Sequence, residues 1–159
     1  MSNRILAAAI IGGVTLGPLL APADAQNFSR PPSFGTVNLS ANFAPDPYNV
    51  NVTAGGTIPA ERLGGAQCVG TIADAPDVRL NYRAGQGLPL YLSVVSRGDT
   101  TLVVNLPNGQ WACNDDFQGV NPGLVFRNPQ SGQYDIWVGH YERGSRLPAQ
   151  LRISEVPPN

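Results

Sequence analysis

The chain has 159 residues, 10 basic against 11 acidic, for a formal charge of −1, a length that suits one domain with a real core. No basic block provides an electrostatic footprint for nucleic acid. Every basic residue is arginine, which excludes lysine Schiff-base chemistry and a P-loop lysine.

Residues 1–25 have the three parts of a secretory leader. Arg4 supplies the positive start, Ile5–Leu20 the apolar run, and Ala23-Asp24-Ala25 the small residues of a cleavage site. Cleavage is expected after Ala25. The apolar run is shorter than the ~20 residues a spanning helix needs. The expectation is therefore an exported protein, periplasmic or extracellular, that does not span a membrane.

Residues 26–34 read as an extended tether, because Pro31-Pro32 cannot enter a sheet interior. Residues 35–159 read as one β-sandwich domain. Phe34–Ser40 and Tyr48–Thr53 alternate and are expected to pair with each other, antiparallel. Between Gly56 and Gly64 the pattern is unassigned, with a short helical turn as one option. Gln67–Ile72 is expected as a strand carrying Cys68. Val78, Leu80 and Tyr82 share one strand face, as do Leu90, Leu92 and Val94 on the next strand.

The stretch Asp99–Asp116 is the centre of the pattern. Leu102, Val104 and Leu106 alternate into Pro107-Asn108-Gly109, a hairpin signal in which Asn-Gly takes left-handed geometry. The return strand carries Trp111 and Cys113 and ends in Asn114-Asp115-Asp116. Gly123–Phe126 and Leu151–Glu155 are short strands. In Gly132–Tyr141, Tyr134, Ile136 and Val138 face one way and Trp137 and Tyr141 the other. With 18 glycines and 15 prolines and no amphipathic helix, these strands specify an all-β, antiparallel, jelly-roll-like β-sandwich, with a barrel as the alternative. Cys68 and Cys113 are the only cysteines and are expected to form one disulfide in an oxidising compartment.

The order Cys68, Asp77–Tyr82, Asp99–Val104, Cys113-Asn-Asp-Asp116, Asn121-Pro-Gly123 and Ser131-Gly-Gln-Tyr-Asp-Ile-Trp-Val-Gly139 resembles the bacterial pre-peptidase C-terminal domain, across most of the chain after the leader. The resemblance implies a β-sandwich accessory or binding module without catalysis, found beside secreted proteases and also as a stand-alone exported protein. It also implies calcium at acidic turns, which here are those of Asp115 and Asp116.

By ligand type, Asn114, Asp115 and Asp116, with Asp99 or Asn121 across the fold, are the calcium candidates, since calcium takes six to eight hard oxygens. The same residues are ordinary turn formers. For ligand binding, the outward aromatics Tyr91, Trp137 and Tyr141, with Trp111 near them, are candidates to stack on sugar or to grip a protein. The competing reading is a small secreted hydrolase. It must use His140, the only histidine, with Asp135 or a distant carboxylate as orienter, and no Gly-x-Ser-x-Gly elbow is present. The expected function is an exported, non-catalytic module that binds protein or polysaccharide.

Overall fold

A computed structural model of the chain describes residues 26–65, 67–144 and 146–158. The expected leader lies outside the described residues. Among the described residues, eleven strands form two sheets packed face to face: β1 (Thr36–Ser40), β2 (Tyr48–Ala54), β3 (Ile58–Pro59), β4 (Thr71–Ile72), β5 (Val78–Arg83), β6 (Leu90–Ser96), β7 (Thr100–Asn105), β8 (Trp111–Asn114), β9 (Gly123–Phe126), β10 (Gly132–His140) and β11 (Leu147–Ser154). The seven-stranded sheet, sheet A, is centred on β10, which pairs β5 and then β4 along one side and β7 along the other. β1 lies outside β5, β3 outside β4, and β8 outside β7. Sheet B runs β2-β11-β6-β9. A short 3₁₀ turn occupies Ala60–Leu63, within the segment whose pattern was unassigned.

Period-two burial explains why these segments are strands. Val78, Leu80 and Tyr82 of β5 and Tyr134, Ile136 and Val138 of β10 meet Leu90, Leu92 and Val94 of β6 and Leu151 and Ile153 of β11 in one buried core. Each such side chain contributes about 1.5–3 kcal/mol of transfer free energy. Polar residues at the alternate positions look outward.

Four expectations are corrected. β1 and β2 do not pair with each other. β1 lies parallel to β5 in sheet A, and β2 pairs antiparallel with β11 in sheet B. The chain between them, 41–47, crosses from one sheet to the other, so both strands face the same core from opposite sides. The strand predicted over Gln67–Ile72 contracts to Thr71–Ile72. Cys68 sits instead in a turn, its N–H donating to the Gly65 carbonyl at 3.0 Å. Gly70 ends that turn at φ +80°, where a Cβ would fall 2.5 Å from the His140 carbonyl oxygen.

The segment 26–34 is docked along the 73–77 loop and does not hang free as a tether. Asn27, Ser33 and Phe34 donate their N–H groups to the carbonyls of Asp74, Pro76 and Asp77, and Arg30 pairs with Asp74. The prolines keep this segment out of the ladder, and the loop's free carbonyls hold it in place.

The fourth correction concerns Trp137. It does point away from the main core, but it is fully buried. The chain from β3 to Cys68 folds back over the outer face of sheet A. There Ala60, Ile72, Val103 and the Cys68–Cys113 disulfide enclose the indole in a second core. Trp111 leans on it, ring centroids 5.4 Å apart.

At the central hairpin, Gly109 donates to Leu106 O and Leu106 donates to Gln110 O, both at 2.8 Å. Gly109 takes the left-handed position, φ +79°. Asn108 is not among the positive-φ residues, so the loop is a longer hairpin closed by a glycine and not a two-residue turn.

Candidate functional site

Asn114, Asp115, Asp116 and Asp99 gather at one end of the sandwich, where the two aspartates after Asn114 act on the Asp99 carboxyl. Asn114 Oδ1 accepts from Gly123 N–H at 2.9 Å, and its amide donates toward Asp116 O. Asn121 Oδ1 is likewise engaged, by Ser96 N–H at 3.0 Å. Both amides act as turn chemistry. Burial first, then the charges of Asp116 and Asp115, push the Asp99 carboxyl above its usual range. Its Oδ1 is buried without a hydrogen-bond partner among the described residues. Among those residues no three His, Cys, Asp or Glu side chains converge to hold a metal. With both amide oxygens engaged, the carboxylates of Asp99, Asp115 and Asp116 are the side-chain oxygens left at this end.

His140 is 6% exposed, and its Nδ1 donates to the Glu142 carbonyl at 2.7 Å. Asp135, the expected orienter, is five residues away along β10, about 17 Å at strand rise. Its carboxylate is already bound on both oxygens, by Arg79 Nε and Gln133 Nε2, each at 2.7 Å. A triad through these residues is not assembled.

The aromatic candidates do not share a face. Tyr91 is on β6 in sheet B, half-buried. Tyr141 is 49% exposed just after β10, and Trp137 is sealed in the second core on the outer face of sheet A. The sequence pattern identified Tyr91 and Trp137 as out of phase with the core. It did not show that a loop would cover one of them.

Register brings a different set together. Across the outer face of sheet A, Asn38 of β1 is opposite Asn81 of β5, which is opposite Gln133 of β10. One row along, Arg79, Asp135, Asn105 and Trp111 follow each other over four strands. Asn81 Nδ2 donates to Asn38 Oδ1 at 2.9 Å. Two neighbouring hollows on this face adjoin the amide row. One, about 410 Å³, is lined by Asn38, Ser40, Asn81, Arg83 and the start of β10. The other, about 440 Å³, lies between Phe28 on the docked N-terminal segment and the hairpin with Trp111. They share Gly132 and Gln133 and so adjoin along one shallow, open trough.

Glycine matters at that junction. Gly132 has φ +146°, and a Cβ there would fall 2.8 Å from the Pro107 side chain. A larger hollow, about 570 Å³, lies on sheet B around Asn51, Val95 and Gln150. Strand residues and the adjoining Arg97 line it, and like the hollow at Asn38 and Asn81 it has no loop wall.

The trough residues escaped the sequence reading because each is an ordinary outward strand position. Their polar character was visible in Arg79-Leu-Asn81-Tyr-Arg83, but their alignment across β1, β5 and β10 is long-range.

No family model matches the chain, and no curated protein matches it. Among solved structures, it is similar to that of Aeromonas hydrophila PliG, a periplasmic lysozyme inhibitor of g-type lysozyme. That structure is 15% identical, with 75% of this chain and 96% of that chain covered, at a TM-score of 0.37.

Proposed function

We propose that this protein is an exported, non-catalytic binding module and that the trough on the outer face of sheet A is its binding surface. The observation that carries the reading is that two hollows meet at Gly132–Gln133 over a row of aligned amides, one of them walled by Phe28 and the hairpin before Trp111. Concave sites with a few convergent polar groups are where ligands bind. The disulfide supports an oxidising compartment, in line with the expected leader. The likeness of Ser131-Gly-Gln-Tyr134 and its neighbours to the pre-peptidase C-terminal domain favours an accessory role. The enclosed ring of His140 gives a hydrolase reading no exposed base.

Site-specific photocrosslinking in the source organism tests this. A benzophenone side chain at Asn38 samples the trough, and one at Gln150 samples sheet B. Macromolecular adducts at Asn38, with few at Gln150, are expected. Adducts confined to Gln150, or absent from both positions, would refute the trough as the binding surface.

A further inference from the structure

We infer that the ligand of this trough is an acidic glycan, a chain of hydroxyl-rich sugar rings bearing carboxylates; the inference rests on the trough being the binding face. Hydroxyls both donate and accept, and the floor is made of groups that do both. After the Asn81–Asn38 bond, Asn38 keeps its two amide hydrogens and Asn81 keeps its carbonyl oxygen. Gln133 has one hydrogen committed to Asp135, which leaves its oxygen and second hydrogen at the centre of the trough. Trp111 and Phe28 line one end, and aromatic rings supply flat apolar surfaces of the kind that ring-shaped ligands lie against.

Charge selects among hydroxyl-rich ligands. Arg79 is neutralised by Asp135 at 2.7 Å, with side chains 18% and 3% exposed, so that pair adds no net charge to the face. Arg83, in the other hollow, has no carboxylate within ion-pair distance among the described residues. The trough thus presents one unneutralised guanidinium, whose fork matches a carboxylate, beside neutral donors and acceptors. A neutral glycan would leave that charge unmatched. Nucleic acid would want a basic stripe, which one arginine does not make.

Titration calorimetry of the purified, oxidised protein with two polyuronates, alginate and polygalacturonate, and with neutral dextran tests the inference. Thermal midpoints confirm that the surface variants Arg83→Gln and Gln133→Ala stay folded. At least one polyuronate is expected to bind, more weakly at high salt, with dextran at least about tenfold weaker. Arg83→Gln should weaken polyuronate binding about tenfold and reduce its salt dependence. Gln133→Ala should weaken polyuronate and dextran alike. Equal affinity of wild type and Arg83→Gln for the polyuronates overturns the acidic-ligand assignment. Failure of both polyuronates to bind, with protein adducts at Asn38 in the crosslinking experiment, overturns the glycan and leaves the trough as a protein-binding face. Absence of adducts at Asn38 removes the trough itself, and failure of both polyuronates in addition removes the glycan with it.

Discussion

Asp77 offers the sharpest physical test of the fold. β10 leaves β5 after Ile136 and does not meet β4 until His140, so Val138 falls in a gap between two partners. Asp77 fills the gap: its Oδ2 accepts from Val138 N–H at 2.7 Å, while Gly55 N–H donates to the Val138 carbonyl at 2.9 Å. The carboxyl is 2% exposed, and burial pushes its pKa from 3.8 up to about 7, against the lowering effect of the Val138 bond and of Arg146. The folded state therefore holds this proton more tightly than the unfolded chain. Its contribution to stability is fully present below pH 3.8 and is lost as pH rises through about 7. Holding the proton that much more tightly corresponds to roughly 4 kcal/mol.

Asp77→Asn keeps a carbonyl oxygen for Val138 and cannot ionise. Urea unfolding of both proteins from pH 4 to 8 measures the effect. The variant should gain on the wild type steadily with pH, by up to roughly 4 kcal/mol at pH 8. An unchanged difference between the two proteins across that range would refute burial of the charge as the cause, as would a variant less stable than wild type at pH 8.

Three further outcomes follow from the structure. Reducing the Cys68–Cys113 bridge, whose ends are 45 residues apart in sequence, should lower unfolding free energy by up to about 4 kcal/mol, read from urea midpoints with and without reductant. Trp137→Ala should cost about 3–5 kcal/mol because it empties the second core, whereas Tyr141→Ala should stay within about 0.5 kcal/mol; equal effects would contradict the burial of the indole. Adding calcium should leave the thermal midpoint unchanged, and a calcium-dependent rise abolished by Asp115→Asn/Asp116→Asn would restore the metal site by linkage.

Local pattern carried much of the architecture. The alternation of Val78–Tyr82, Leu90–Val94 and Tyr134–Val138 specified strands and their inward faces, because a strand's side-chain period of two is a property of its own backbone. The glycine of Pro107-Asn-Gly109 marked the hairpin for an equally local reason, the freedom of Gly109 at positive φ. The two cysteines and the apparent leader agreed on a disulfide, since compartment and residue count suffice for that expectation.

What the chain could not declare locally was which strand lies beside which. Alternation is the same whether β1 pairs with β2 or with β5, and only the shared core, buried from both sides, decides it. The covering of Trp137 depends on a loop pinned 45 residues away in sequence, so an outward position became an interior one. The row Asn38–Asn81–Gln133 likewise comes from three strands distant in sequence. Residue types and facing directions were set by the sequence itself. The trough exists only through register and a docked N-terminal segment, which are decided by the packing of the chain.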